Sequence, residues 1–267
     1  MLHLEPLVQR LGVSMVLGVP TIVGDALATW QDSTWTSVER VVIGGGSPPT
    51  SLLQGLSRRG VFPQLSWGMT ELSPVGTLTW QADVPGEREA MRGLWAEVRR
   101  RRMVGGGEEM GEHEWTSYAS LAGRAVPSLS LTTSPTNELL AQGPTVITSY
   151  VGQPPSPDHF APSGHLRTGD AACDSLGETG MLRITDRFKD VIKRGGEWIS
   201  SLSLERSASS SRYIETAAAV GVPSRRMGEA VVLLLVKAKG APEADAEADV
   251  RRLVEQSHPR WQQPSVV

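Results

Sequence analysis

The sequence predicts an α/β protein, and three observations carry that reading. In the first third, apolar runs of strand length alternate with segments of helical period. Between about residues 120 and 185 strands crowd together, with Gly and Pro at the turns. Past Lys189 helices and strands alternate again on a smaller scale, so the expected domains are residues 1–188 and 189–267. No internal repeat is visible.

Taken in order, residues 4–11 read as helix, 15–19 as strand, 22–30 as helix, 38–43 as buried strand, 51–58 as helix and 61–67 as strand. Strands alternating with helices imply a mainly parallel, helix-covered sheet that binds ligands beyond the carboxyl ends of its strands. Gly44-Gly45-Gly46 and Gly68-Met69-Thr70-Glu71 each follow such a strand and are expected to meet at one crevice. Residues 87–103 place Met91, Leu94, Trp95 and Val98 on one helical stripe and end in Arg99 to Arg102. That run reads as a solvated face, with a phosphate or nucleic-acid patch as the alternative. Residues 104–116, Gly-rich and acidic, read as a loop. His113-Glu114 lacks a second histidine at zinc-binding spacing, which removes a metalloprotease reading. Strands are expected at 126–132, 144–150 and 181–185, and a tight turn at Thr168-Gly169-Asp170. Helix is expected at 202–209, strand at 216–220 and 231–236, and helix at 245–256.

The 267 residues are 39% hydrophobic and 21% charged, enough to bury a core. A net charge of −3 disfavours a general nucleic-acid role. Cys173 is the single cysteine, so neither an intrachain disulfide nor a Cys-rich metal site is expected, in keeping with a reducing, cytoplasmic setting. No apolar run approaches the roughly 18 residues of a membrane span. The first residues lack a signal-peptide pattern, and the last three are not a peroxisomal address. Lysine occurs only at 189, 193, 237 and 239.

The densest chemistry lies in residues 165–198. Asp170 offers a carboxylate with about four lone-pair sites, suited to two sugar hydroxyls. Its plain alternative is a turn aspartate bonded to its own backbone. Asp186-Arg187-Phe188-Lys189-Asp190, Lys193 and Gly195-Gly196 follow. Arg187 presents a planar fork to phosphate or ribose oxygens, or else an ordinary surface ion pair. A hydroxyl-binding acid, phosphate-binding cations and a permissive backbone together suit a nucleotide ester that is made and then attacked.

Residues 184–201, ITDRFKDVIKRGGEWISS, resemble the hinge segment of the adenylate-forming acyl-CoA synthetases, nearest to their medium-chain fatty acyl-CoA ligases. Ser66-Trp67-Gly68-Met69-Thr70-Glu71 resembles that family's aromatic-Gly-x-Thr-Glu motif. Residues 41–49, VVIGGGSPP, resemble its adenine-side Gly-rich loop. Gly18-Val19-Pro20-Thr21 resembles the segment opening its acyl-pocket helix, and Gly123-Arg124-Ala125-Val126-Pro127 its approach to a distorted barrel. The matches keep the family's order and cover most of the chain outside roughly residues 81–120.

The resemblance implies the C-terminal part of the large AMP-binding domain, with a mainly parallel sheet and a distorted β-barrel, followed by a truncated small α+β domain. It implies activation of a medium-chain fatty or other carboxylic acid as acyl-AMP and transfer to coenzyme A, using ATP and Mg²⁺. Gly45, Gly46 and Ser47 would approach the adenine, and Trp67 and Gly68 would lie against it. Thr70 would bond the α-phosphate, Glu71 would help hold Mg²⁺, and Asp170 and Arg187 would hold ribose and phosphate. Lys189 would be the hinge, Lys193 would serve thioester formation, and Gly195 and Gly196 would line the pantetheine tunnel. Val19, Pro20, Ile22, Val23 and Trp67 to Met69 are the acyl-pocket candidates, with core packing as their alternative. For Lys189, Lys193 and the glycine pair the alternative is a charged hairpin edge.

Two of the family's parts are expected and not found. No lysine-bearing phosphate loop precedes Lys189, and the chain stops at Pro264-Ser265-Val266-Val267, short of a Gly-Lys motif. Adenylation is therefore expected to be impaired, because desolvated phosphate charge needs pairing. The alternative is a non-catalytic remnant acting as a nucleotide-binding or protein-interaction module. Expected partners are a small carboxylic acid, ATP and CoA, without nucleic acid or a transmembrane segment, and self-association as a homo-oligomer is left open.

Overall fold

The computed structural model describes residues 4–79, 118–154, 156–173 and 181–266. The expected helix at 87–103 with its arginine run, the loop at 104–116 and His113 lie outside these residues. The chain divides into two compact units. The first comprises Met1–Ser134, Leu140–Thr168 and Cys173–Arg183; the second comprises Pro135–Leu139, Gly169–Ala172 and Ile184–Val267.

The first unit opens with helix α1 (Glu5–Leu11), which stops at Gly12 in the left-handed region (φ 58°). Strand β1 (Met15–Gly18) follows, then α2 (Pro20–Thr29), where a proline at the first helical position has no N–H to leave unbonded. Strand β2 (Arg40–Ile43), α3 (Thr50–Arg58) and β3 (Phe62–Gly68) complete the alternating part. Val41, Val42 and Ile43 are all buried, as a strand covered on both faces requires. Leu52, Leu53 and Leu56 of α3 bury one stripe against the same core, which also holds Val23, Trp35, Phe62 and Leu65. Strands β1, β2 and β3 pair in parallel.

Beyond β3 the sheet turns antiparallel. Strand β4 (Val75–Leu78) pairs with β3, β5 (Leu121–Ala125) with β4, and β9 (Leu182–Arg187) with β5. With β6 (Ser130–Thr133), β7 (Glu138–Gln142) and β8 (Leu166–Cys173), the nine-stranded order is β1-β2-β3-β4-β5-β9-β8-β7-β6. The sheet is therefore mixed, and its parallel pairing is confined, among the described pairings, to β1–β3. Where β3 changes neighbours, buried side chains bond backbone groups. Gln64 Nε2 donates to the Thr79 carbonyl at 2.7 Å, and the Tyr118 hydroxyl donates to the Pro63 carbonyl at 2.7 Å. Burial pushes the Tyr118 phenol well above its ordinary range.

Two expected strands fall elsewhere. Residues 126–132 yield β6 only from Ser130, since Val126 to Leu129 form a turn closed by a Leu129 N–H to Val126 carbonyl bond. Residues 144–150 are not a strand; their apolar Val146 and Ile147 pack into a cluster with Leu72, Leu129 and Leu166 instead.

In the second unit, the four-stranded order is β11-β10-β13-β12. Strands β10 (Ile192–Arg194) and β11 (Glu197–Ile199) form a hairpin. Helix α4 (Ser201–Ser209) follows, then the long hairpin of β12 (Ile214–Ser224) and β13 (Gly228–Lys237), then α5 (Glu243–Ser257). Ile192, Ile199, Leu204, Leu233, Val250 and Val254 build its core.

Candidate active site

The first unit brings one set of candidates to the carboxyl edge of β2 and β3. Gly44 to Gly46 leave β2, and the paired strand β3 ends at Gly68. A Cβ on Gly44 would lie 3.5 Å from that of Ser66, so the two turns are neighbours as expected. Gly45 has φ 78° and a side chain there would press on Val19 Cγ1 at 3.1 Å. Gly46 faces Pro20. Gly45 and Gly46 are exposed, and Ser47 is half-buried.

Gly68 is required sterically, because a Cβ would stand 2.0 Å from the Pro74 carbonyl oxygen. Trp67 packs with Met69 against the Leu72 cluster, and its ring lies against Gly76. Thr70 opens a 3₁₀ turn, Thr70–Leu72, and is exposed; Glu71 is half-buried on it. Of the acyl-pocket candidates, Val23 is 2% exposed and belongs to the core, whereas Val19 and Ile22 are exposed.

The sequence reading missed a partner of Glu71. The Tyr150 hydroxyl donates to Glu71 Oε1 at 3.0 Å. The two are 79 positions apart, and no motif links them. Burial first, and the Glu71 carboxylate second, raise the Tyr150 phenol above its ordinary value.

The second unit brings Asp170 and Arg187 together. Thr168-Gly169-Asp170 is not a turn but part of β8, and the φ of 72° at Gly169 bends that strand. The Phe188 N–H donates to the Gly169 carbonyl at 2.9 Å, fixing β8 beside the end of β9. Arg187 Nε then stands 3.3 Å from Asp170 Oδ1; the acid side chain is 8% exposed and the arginine 61%. Asp186 is buried and anchors this end of β9. It accepts from the Ser201 N–H at 2.6 Å, from the Ser201 hydroxyl at 3.1 Å and from the Arg187 N–H at 2.7 Å. Those bonds tie Arg187 to the first residue of α4.

Lys189 and Lys193 are exposed. The Lys193 N–H donates to Glu229 at 2.6 Å. Gly195 (φ 63°) and Gly196 (φ 89°) form the two-residue turn of the β10–β11 hairpin, where successive positive φ values select glycine. No group of three or more His, Cys, Asp or Glu side chains that could hold a metal occurs among the described residues. Mg²⁺ is commonly held by one or two carboxylates together with phosphate oxygens and water, so a carboxylate such as Glu71 would suit it without a larger ligand group. No helix among the described residues is long and apolar enough to cross a membrane.

The chain is 34% identical over 267 residues to the 3-methylmercaptopropionyl-CoA ligase of Ruegeria pomeroyi, covering 98% of this chain and 46% of that protein. The chain is a homologue of the acyl-CoA ligases. It is 31% identical to a long-chain-fatty-acid–CoA ligase of Thermus thermophilus and 30% identical to a medium-chain-fatty-acid–CoA ligase of Ectopseudomonas oleovorans, in each case over 45% of the relative's length. The likeness to acyl-CoA ligases thus extends across several acyl specificities. No protein-family model matches the chain. The fold matches the o-succinylbenzoate CoA synthetase of Bacillus subtilis, solved with its acyl-adenylate intermediate, at a TM-score of 0.73 and 20% identity, over 99% of this chain and 49% of that one. It also matches the amide bond synthetase McbA of Marinactinospora thermotolerans at 0.72 and 22% identity, again over 99% of this chain and 50% of that one. This acyl-CoA ligase homologue therefore spans about half the length of the proteins it matches.

Proposed function

We propose that this chain carries the acyl-adenylate and thioester-forming part of an ATP-dependent acid–thiol ligase acting on a medium-chain fatty or similar carboxylic acid. In that chemistry a carboxylate oxygen bonds the α-phosphorus of ATP as the bond to the β-phosphate oxygen breaks and pyrophosphate leaves. The sulfur of CoA, its proton lost, then bonds the acyl carbon, and AMP departs as the acyl C–O bond breaks. The observation that supports this reading is the Asp170–Arg187 pair: a buried acid beside an exposed guanidinium, on a chain homologous to acyl-CoA ligases.

In this reading Asp170 accepts the ribose hydroxyls and Arg187 turns toward the phosphate, each contact strengthened by its full charge. Thr70 donates to the α-phosphate, and Mg²⁺ at Glu71 would supply charge neutralisation on phosphate oxygens. Gly45, Gly46, Ser47, Trp67 and Gly68 shape the adenine side. Lys189 is the pivot between domains at residues 1–188 and 189–267, and Lys193, Gly195 and Gly196 serve the CoA step. The test is acyl-CoA formation from synthetic octanoyl-AMP and CoA. A rate above uncatalysed thiolysis that Asp170→Ala abolishes supports the reading, and a rate equal to the blank removes it.

A second reading, a protein-interaction module, is favoured by the exposure of Leu7, Leu11, Met15 and Leu17 on α1 and the edge strand β1. It requires concentration-dependent self-association in sedimentation without any affinity for adenylate.

A further inference from the structure

The turn that carries Thr70 and Glu71 is held from one side by a single loop. The Ile147 N–H donates to the Glu71 carbonyl at 2.9 Å, and the Ser73 hydroxyl donates to the Thr145 carbonyl at 3.0 Å. The Tyr150 hydroxyl reaches the Glu71 carboxylate itself at 3.0 Å. Both main chain and side chain of Glu71 are thereby fixed by residues 145–150. Ser73, which ends the turn, has φ 64°, a conformation that costs a non-glycine residue energy and persists when its surroundings impose it. The Tyr150 ring is itself wedged edge-on against His159, with centroids 4.7 Å apart. Val146 and Ile147 sink the loop into the Leu72 cluster, which lies beneath the same turn.

A phenol on one oxygen of the Glu71 carboxylate limits its rotation and leaves lone pairs of the group to a cation. Because Mg²⁺ bound with phosphate takes only one or two carboxylates, the orientation of each one governs how well it meets the metal. We propose that Tyr150 is a positioning residue for Glu71, holding its carboxylate in an orientation from which it would hold a Mg²⁺. This rests on the assignment of Glu71 as a cation ligand under the proposed function.

The test uses the full chain and Mn²⁺ as a spectroscopic probe. Free Mn²⁺ is measured by electron paramagnetic resonance in the presence of saturating AMP, whose single phosphate alone holds Mn²⁺ only weakly, for the native chain, Tyr150→Phe and Glu71→Gln. Thermal unfolding and affinity for metal-free octanoyl-sulfamoyl adenosine are measured alongside. The expected result is Mn²⁺ affinity about tenfold weaker in Tyr150→Phe, as for loss of an outer-sphere partner, and lost in Glu71→Gln. Metal-free adenylate affinity should change less than about twofold in Tyr150→Phe, since the tyrosine acts through the carboxylate. If Glu71→Gln loses Mn²⁺ and Tyr150→Phe matches the native chain, the positioning role is wrong and the Glu71 assignment stands. If Tyr150→Phe weakens metal-free adenylate binding as much as Mn²⁺ binding, the tyrosine is a general brace and the positioning role is likewise overturned. If the native chain and Glu71→Gln hold Mn²⁺ equally, or neither holds it, the assignment of Glu71 fails and the positioning role fails with it.

Discussion

Arg187 Nε lies 3.3 Å from Asp170 Oδ1, with the acid buried and the guanidinium mostly in water. This asymmetry makes the pair a poor stabiliser and leaves the guanidinium accessible, as the proposed ligand role requires. An ion pair with one partner this exposed is worth about 1 kcal/mol or less, so Arg187→Ala should lower stability by no more than about 1 kcal/mol in urea unfolding. The same change should weaken octanoyl-sulfamoyl adenosine by about tenfold, the value of a charge-assisted bond. A large stability loss with unchanged ligand affinity would reverse that assignment.

Asp186 is the opposite case. Its carboxylate is 4% exposed and accepts from Ser201 and from the Arg187 N–H. Asp186→Ala leaves the Ser201 N–H and hydroxyl without this acceptor, although the Ser200 cap on the Ser203 N–H remains, and is expected to cost about 2–3 kcal/mol, measured as a shift in the urea midpoint at unchanged slope.

Glycines of the two units should respond differently to alanine. At Gly68 a Cβ meets the Pro74 carbonyl oxygen at 2.0 Å, a backbone atom that cannot swing away. Gly68→Ala should therefore cost about 3 kcal/mol or prevent folding. At Gly169 a Cβ has open space and only the φ of 72° opposes it, so Gly169→Ala should cost about 1–2 kcal/mol. Thermal unfolding of the two variants checks the order.

Acid should loosen the second unit at Asp249. The Ser211 hydroxyl, which donates to it at 2.7 Å, and Arg252 hold this carboxyl below its usual value. A depressed folded pKa gives stability that is fully present above the unfolded value and lost as pH falls through the folded one. Ser211→Ala should flatten the fall in stability below about pH 4 while changing its slope little above pH 6. Glu205 has the opposite sign. Burial raises its carboxyl, so its contribution is present below the unfolded value and lost as pH rises through the folded one.

Much of the fold was legible because local pattern and tertiary role agree. The stripe of Leu52, Leu53 and Leu56 marks α3, and the continuous run of Val41, Val42 and Ile43 marks a covered strand. Thr168-Gly169-Asp170 misleads because glycine and aspartate favour turns, whereas pairing beside β9 keeps the segment extended and Gly169 absorbs the bend. Residues 144–150 mislead because Val146 and Ile147 suit a strand and instead anchor a loop in the Leu72 cluster. The mixed pairing was hidden because alternation of strands and helices ends at β3, and nothing local marks the reversal at β4. In the candidate site, the resemblance singled out Asp170 and Arg187 together, and the fold brings their side chains to 3.3 Å. Tyr150 was not, because its bond to Glu71 joins residues that only the fold brings together.

Calorimetric titration of the native chain and Asp170→Ala with octanoyl-sulfamoyl adenosine tests the central claim most directly. The native chain should bind with measurable heat at micromolar ligand, and Asp170→Ala should bind at least about tenfold more weakly while its thermal unfolding stays cooperative. Equal binding by the two, or no heat from the native chain at high micromolar ligand, would contradict it.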